Sequence, residues 1–143
     1  MLAEAIRLTP PGGVLHLPPG EYSDADLTID RPIEIVADRA ALRLHAPLAL
    51  RGAGIVIRGL TFIGQSSPGP CVSIDGSSAT PWLEECRFVE AAECAVLAAN
   101  GSRPILERCT FEGIVGVGLV AFASASPTVR KCRFVGGKGN AIL

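Results

Sequence analysis

The sequence predicts an all-β fold, a parallel β-helix solenoid of about five rungs that begins with a short capping helix. Two features of the composition support this. The sixteen Gly and eleven Pro indicate many tight turns. A hydrophobic content of 48%, with only five Phe, one Trp and one Tyr, indicates a core of small aliphatic side chains. The third observation is a repeat of 23 residues, which sets the length of one rung.

The repeat is clearest in the segments PWLEECRFV, PILERCTFE and PTVRKCRFV, which begin at Pro81, Pro104 and Pro127. The aligned columns are Cys86, Cys109 and Cys132; Phe88, Phe111 and Phe134; and Leu83, Leu106 and Val129. Stacked rungs would stand ~4.8 Å apart, so each column should be continuous and buried. The L-x-x-L-x-L-x-x-N pattern of leucine-rich repeats is missing, which favours the β-helix.

The repeat extends towards the N-terminus with a longer spacing. Leu60 and Phe62 stand 26 residues before Cys86 and Phe88. We expect the three additional residues to lie in the loop from Gln65 to Pro70, because Pro and Gly mark turns and turns tolerate insertions.

Nearly the whole chain resembles the right-handed β-helix repeat proteins of the pectin lyase-like superfamily. The resemblance rests on GGVLHLPPGEY, LTIDRPIEIVAD and the P-x-[LV]-x-x-C-x-F rungs. It implies a right-handed coil with a bend at Pro19, Gly20, Glu21 and Tyr22. The motif is specific for architecture and carries little information about activity, since a fold does not define a function.

The two ends of the predicted domain, residues 1-143, differ. Residues 1-11 should form an N-terminal helical cap, in which Leu2, Ala5, Ile6 and Leu8 lie near one face. Residues 12-143 should form the β-helix rungs. At the C-terminus, Asn140 to Leu143 align with Val117 to Val120 without a polar cap. We therefore expect Ala141, Ile142 and Leu143 to contact a second copy or another part of a longer protein.

All five cysteines fall on the repeat, with Cys71 and Cys94 spaced by 23 residues in a second column. Their number is odd and they match no zinc-binding spacing. Stacked Cβ atoms ~4.8 Å apart exceed the ~3.5–4.5 Å of a relaxed disulfide. We expect reduced core thiols, with no metal and no cofactor.

Outward positions form two charged ladders: Glu84, Glu107 and Arg130; and Glu85, Arg108 and Lys131. The adjacent Glu84 and Glu107 indicate either a solvated surface or a cation site. Trp82 and Ile105 share an outward column and would form a small apolar patch. Trp82, Ile105, Glu84 and Glu107 are therefore the candidate binding residues, although single exposed apolar residues are common on protein surfaces.

No catalytic residue is assigned from the sequence. Enzymes of the fold that the chain resembles stack acids on adjacent rungs, whereas the 23-residue spacing places Ala98 and Ala121 beside Asp75. Asp24, Asp26, Asp30 and Asp38 are expected in turns, and His16 and His45 are expected to be structural. We predict a non-catalytic interaction or scaffold module. A carbohydrate-binding or carbohydrate-active protein is the alternative.

Charge and hydropathy limit the partners. With 13 Lys plus Arg against 14 Asp plus Glu, the chain lacks the basic excess that nucleic-acid binding requires. No stretch approaches the ~20 apolar residues of a membrane span, and the N-terminus lacks the features of a signal peptide. A cytoplasmic protein with a protein partner, a second copy or a carbohydrate as its ligand is the resulting expectation.

Overall fold

The computed structural model describes residues 2–24, 27–64 and 69–143. Within these ranges it contains one short helix at the N-terminus and seventeen parallel-paired strands, which confirms the all-β solenoid of about five rungs. The helix is α1 (Leu2–Leu8). The strands are β1 (Val14–Leu17), β2 (Gly20–Asp24), β3 (Leu27–Ile29), β4 (Glu34–Ala37), β5 (Ala40–Leu44), β6 (Leu48–Leu50), β7 (Val56–Arg58), β8 (Thr61–Ile63), β9 (Val72–Asp75), β10 (Trp82–Glu84), β11 (Arg87–Val89), β12 (Cys94–Ala99), β13 (Ile105–Glu107), β14 (Thr110–Glu112), β15 (Val117–Ala121), β16 (Thr128–Arg130) and β17 (Arg133–Val135).

Each of the first five rungs contributes one strand to each of three sheets, and the sixth contributes one strand to each of two. Sheet I has the order β1-β4-β7-β10-β13-β16, sheet II the order β17-β14-β11-β8-β5-β2, and sheet III the order β15-β12-β9-β6-β3. The strands are short, and in β7, β8, β10, β13 and β14 only the middle residue is buried. The strands of sheet III bury more: β3, β6 and β9 each have two buried residues that alternate along the strand.

The turn from sheet I to sheet II contains one residue in the left-handed conformation on successive rungs. Glu85, Arg108 and Lys131 have φ angles of 54°, 53° and 54°. The Glu85 amide donates a hydrogen bond to the Glu107 carbonyl at 3.0 Å, and the Arg108 amide donates to the Arg130 carbonyl at 2.9 Å. Left-handed backbone costs a non-glycine residue about 1–2 kcal/mol, and the hydrogen bonds between rungs offset that cost. These three residues form the predicted ladder, and each occupies the same turn on its own rung.

The predicted phenylalanine column is continuous. Phe62, Phe88, Phe111 and Phe134 stack with ring centroids 5.0, 4.9 and 4.4 Å apart and interplanar angles of 11° or less. Phe88 and Phe111 are buried, whereas Phe134 is only half-buried. The prediction of complete burial is therefore wrong for Phe134, because β17 is the edge strand of its sheet in the described residues.

The cysteine column behaves in the same way. Cys86 and Cys109 are fully buried, while Cys132 on the last rung is half-buried. All five cysteines are free thiols. Burial at a given position of the repeat thus depends on the rung that follows it.

The placement of the three additional residues differs from the prediction. Trp82 pairs with Val56, 26 positions earlier, but Val96 pairs with Val72, only 24 positions earlier. Two of the additional residues therefore lie between β8 and β9, and the third lies in the turn between β9 and β10. Residues 65–68 of the predicted loop from Gln65 to Pro70 lie outside the described residues.

This register corrects two sequence assignments. Asp75 pairs with Ala99 rather than Ala98. The amide of Cys71 donates to the carbonyl of Cys94 at 3.3 Å, which places Cys71 opposite the residue after Cys94. The two cysteines are therefore offset by one position and do not form a true column, although both are buried.

At the N-terminal end, α1 packs on the first rung. Leu2 and Ile6 are 4% and 5% exposed and belong to the core, whereas Leu8 is 66% exposed and does not share the buried face as predicted. The Arg31 guanidinium donates to the carbonyl oxygen of Arg7 at 3.2 Å and to that of Ile6. These two hydrogen bonds cap the C-terminal end of α1, where the Ile6 carbonyl also accepts from the Thr9 amide at 3.1 Å, and fasten the helix to the chain between the first and second rungs.

At the C-terminal end, the predicted alignment is confirmed. Ile142 forms a parallel bridge with Leu119, 23 positions earlier. The Leu119 amide donates to the Ala141 carbonyl at 2.9 Å, and the Leu143 amide donates to the Leu119 carbonyl at 2.8 Å. Residues 128–143 thus build a sixth, partial rung.

Candidate functional site

The exposed side of the sixth rung, here called the end face, concentrates apolar surface. Of the seven large apolar side chains that are exposed in the described residues, two lie near the N-terminus and five lie between positions 115 and 143. Val115 and Phe122, which are 57% and 52% exposed, lie on the fifth rung, and Val135, Ile142 and Leu143, which are 46%, 50% and 65% exposed, lie on the sixth. Clustered apolar surface of this kind is typical of interaction sites.

A cavity of about 240 Å³ opens on the end face beside Phe134. Phe111, Ile114, Phe134, Val135 and Ala141 are its apolar lining residues, and five glycines form much of the remaining wall. The cavity has a cause in the sequence. The Lys138 amide donates to the Ile114 carbonyl at 3.1 Å, which stacks Gly137 on Ile114. The sixth rung therefore lacks a side chain where the fifth rung has isoleucine.

Glycine is required at one wall of this cavity. A Cβ atom at Gly118 would lie 2.5 Å from the Phe134 ring and 2.6 Å from the Ala141 carbonyl oxygen. Because no side chain fits there, the Phe134 ring packs directly on the backbone of the fifth rung. The ring is thereby held in place although it is only half-buried.

The rim of the end face is basic. Arg130, Lys131, Arg133 and Lys138 are all exposed. The sequence from 113 to 143 contains these four basic residues and no Asp or Glu. The end face therefore combines an apolar centre with a positive rim, although the whole chain has a net charge of -1.

The predicted outward patch is less open than the end face. Trp82 and Ile105 are neighbours in sheet I, and both are half-buried. The Arg58 Cζ atom lies 5.2 Å from the Trp82 ring centroid, so a cation covers the aromatic face. The Trp82 indole N–H is buried and has no hydrogen-bond partner among the described residues.

The predicted Glu84 and Glu107 pair is also adjacent, and arginines supply its counter-charge. Arg58 donates to Glu34 at 2.9 Å and also to Glu84, and the Arg108 Nη1 lies 3.7 Å from Glu84 and 3.5 Å from Glu107. The hydrogen bond to Glu34 raises the pKa of the Arg58 guanidinium above its ordinary value. No metal-binding group is found in the described ranges. The carboxylates therefore belong to an ion-pair network.

Sequence reasoning did not identify Arg58 or Glu34 as members of this network. The signal for Arg58 was present, because the 26-residue spacing that aligns Phe62 with Phe88 also places Arg58 beside Glu84. Glu34 reaches Arg58 from a rung of different length, which residue spacing alone does not reveal.

Two polar contacts were also missed. The Asn100 side-chain amide donates to Asp75 at 2.7 Å, and the His45 Nε2 lies 2.9 Å from the Ser23 hydroxyl. Ser23 and His45 are both exposed. Asp26 and the Asp24 side chain lie outside the described residues.

Two of the buried cysteines, Cys71 and Cys109, are held as protonated thiols because their pKa values are raised. Burial raises the pKa of Cys71 to about 12. A hydrogen bond with Cys86, together with burial, raises the pKa of Cys109, whose thiol donates to the Leu83 carbonyl at 3.3 Å. Because the thiolate is the reactive form, these residues act as core side chains at neutral pH.

Comparisons with known proteins identify the family of the chain. No curated protein matches the chain. No helix in the described residues is long and apolar enough to cross a membrane. A family model for the right-handed β-helix region matches residues 46–143, which include the 23-residue rungs and the end face. This chain belongs to the right-handed β-helix family.

Proposed function

We propose that the chain is a non-catalytic protein-interaction module that associates with a second copy of itself through the end face. The observation that carries this proposal is the concentration of exposed apolar side chains on one end of the solenoid. Burying them would remove apolar surface from water, which is the main driving force of protein association.

Unpaired strand edges support the same contact. Among the described residues, β16 and β17 are the edge strands of sheets I and II. Edges of this kind pair readily with other chains. At the opposite end α1 covers the first rung. Association through one open end favours a closed two-fold dimer over a fibre.

The basic rim determines how this association depends on salt. In a face-to-face dimer, the four basic residues of one copy approach the same four of the other. Repulsion between exposed charges is screened as ionic strength rises. Self-association should therefore strengthen with salt.

Sedimentation velocity at several protein concentrations tests the proposal. We expect more dimer in about 500 mM than in about 50 mM sodium chloride. Ile142→Lys should prevent association because it places a charge on the end face. Val14→Lys is the matched control, since Val14 is 49% exposed near the other end and Ile142 is 50% exposed. A wild type that stays monomeric under all these conditions would contradict the proposal.

A glycan assay tests the non-catalytic part and the carbohydrate alternative. Asp75 has Ala99 beside it and Asn100 as its hydrogen-bond partner. We expect no cleavage of pectin or alginate, because Asp75 has no stacked acidic partner. Turnover that Asp75→Ala abolishes would overturn this part of the proposal.

A further inference from the structure

We infer that Asn100 is a site of spontaneous deamidation, in which water converts its side-chain amide into a carboxylate, and that the contact with Asp75 restrains this reaction in the folded protein. The site lies in the turn between β12 and β13, which joins sheet III to sheet I. It is separate from the end face, so the inference does not depend on the proposed function.

The sequence at this turn is a dipeptide prone to deamidation. Asn100 is exposed and is followed by Gly101. Because glycine has no Cβ atom, another group can approach its backbone nitrogen closely. That nitrogen can therefore attack the Cγ atom of Asn100. The other asparagine of the chain, Asn140, is followed by Ala141, whose Cβ atom hinders the same attack.

The conformation of the turn explains why these two residues stand here. Asn100 and Gly101 have φ angles of 55° and 80°, so both adopt the left-handed region. Glycine adopts this region readily, and asparagine is one of the few other residues that visit it routinely. The turn therefore favours the same pair of residues whose chemistry allows the side chain to cyclise.

Deamidation proceeds through a cyclic succinimide and consumes water. The Gly101 backbone nitrogen loses its proton and forms a bond to the Cγ atom of Asn100. The bond from Cγ to Nδ2 breaks, and ammonia leaves with that proton. Water then opens the ring at Cγ, which gives aspartate, or at the backbone carbonyl carbon, which gives isoaspartate. The reaction needs no oxidant and no reductant.

Hydrogen bonds to both neighbouring rungs hold the reacting groups in the folded protein. The Asn100 Nδ2 atom, which would leave as ammonia, donates to the Asp75 Oδ1 atom of the preceding rung at 2.7 Å. The attacking Gly101 amide donates to the Ala123 carbonyl of the following rung at 2.9 Å. Cyclisation must break both bonds, so it requires local opening of the turn.

The products should weaken the contact between these rungs. Aspartate at this position would replace a hydrogen bond to Asp75 by repulsion between two carboxylates. Isoaspartate would add a carbon atom to the backbone of the turn. It would thereby disturb the hydrogen bond from Gly101 to Ala123 and the one from the Ser102 amide to the Ala99 carbonyl, which is 3.2 Å long.

Incubation of the full chain in mildly alkaline buffer made with heavy-oxygen water tests the site. Peptide mass spectrometry then measures how fast each asparagine gains one heavy oxygen atom. In denaturing urea, Asn100 should be modified before Asn140, because glycine follows Asn100. In the folded protein, the rate at Asn100 should be at least about tenfold lower than in urea, because the hydrogen bonds of the turn must first open.

Variants of Asp75 test the restraint. Asp75→Ala should raise the rate at Asn100 in the folded protein about tenfold, because it removes a hydrogen bond to a charged group. Asp75→Glu should give a smaller rise and serves if the alanine variant does not fold. Asp38→Ala is the matched control and should leave the rate unchanged, since Asp38 is exposed and pairs with Arg39 in another turn.

A variant that carries the product side chain tests the effect on the fold. Asn100→Asp should lower the thermal midpoint more than Asn100→Gly does. Both variants lose the hydrogen bond to Asp75, but only the first adds a charge beside it, and glycine suits the left-handed backbone.

Each measurement has an outcome that contradicts the inference. Modification of Asn140 before Asn100 in urea, or no modification of Asn100 in the folded Asp75→Ala variant, would overturn the site. Equal rates in the wild type and Asp75→Ala would overturn the restraint. Equal thermal midpoints of Asn100→Asp and Asn100→Gly would overturn the predicted effect of the added charge.

Discussion

The two ends of the solenoid bury their apolar core residues to different extents. At the N-terminal end, α1 places Leu2 and Ile6 on the core, and Arg31 holds the end of the helix. At the C-terminal end, the sixth rung leaves Phe134 half-buried and Ile142 exposed. Both ends use apolar residues, so the difference shows that burial in a repeat structure is set by the neighbouring rung and not by the residue type. Four predictions test this comparison, from the largest expected effect to the smallest.

The phenylalanine column gives the largest contrast. Phe111→Ala should lower the free energy of unfolding by about 3–5 kcal/mol, because it leaves a cavity between two stacked rings. Phe134→Ala should cost about 1–2 kcal/mol, since that ring is already partly solvated. Denaturant titration of both variants measures the difference. Equal losses would mean that the last rung is as well packed as the interior.

A pair of isoleucines compares the two ends directly. Ile6→Ala should lower the free energy of unfolding by about 2–4 kcal/mol, because Ile6 is 5% exposed against the first rung. Ile142→Ala should cost less than about 1 kcal/mol, because half of that side chain is in water. Thermal and denaturant unfolding check both values. A small effect of Ile6→Ala would show that α1 does not stabilise the first rung.

Alkaline pH should destabilise the interior through Cys71. Burial raises the pKa of this thiol from 9.0 to about 12, so between these pH values the unfolded chain loses a proton that the folded chain keeps. The contribution to stability is complete below pH 9 and falls by about 1 kcal/mol per pH unit above it. The pH dependence of unfolding in wild type and Cys71→Ala measures this.

The half-buried Cys132 provides the control for that measurement. Removing it should flatten the alkaline slope less than Cys71→Ala does, because Cys71 is fully buried. A slope that is the same in wild type and Cys71→Ala would contradict the assignment of the alkaline effect to the core thiol.

Thiol modification compares the accessibility of cysteines at one repeat position on different rungs, and it has the smallest expected effect on the fold. Cys132 should react with iodoacetamide before Cys86 and Cys109, which occupy the same repeat position but are fully buried. Mass spectrometry of the native protein after short exposure should find the label mainly at Cys132. Preferential labelling of Cys109 would mean that the column opens internally.

The sequence predicted the stacking wherever rungs have equal length. The 23-residue spacing correctly aligned Phe88 with Phe111 and Leu119 with Ile142, because equal turns keep equal registers. It failed where turns differ. The single additional residue in the turn between β9 and β10 moved Asp75 from Ala98 to Ala99. Residue spacing shows how many residues are inserted in a rung. It does not show which of the turns contains them.

The candidate site was predictable only in part. Ala141 to Leu143 were placed correctly on the last rung, but the cavity was missed, although Gly137 follows Ile114 by one repeat. A missing side chain is informative only when the neighbouring rung is known to pack against it. The contact between Ser23 and His45 was missed because the first rungs lack the repeated cysteine and phenylalanine that set the alignment of the later rungs.

The left-handed turn residues have a consequence for sequence variation. Glu85, Arg108 and Lys131 share nearly the same φ angle although their charges differ in sign. The backbone geometry of this corner is therefore independent of the side chain that it displays. The column is a row of surface positions, spaced ~4.8 Å apart, at which different side chains fit the same backbone conformation. Mutation can rewrite the charge pattern along this edge, one position per rung, while the coil beneath it is unchanged.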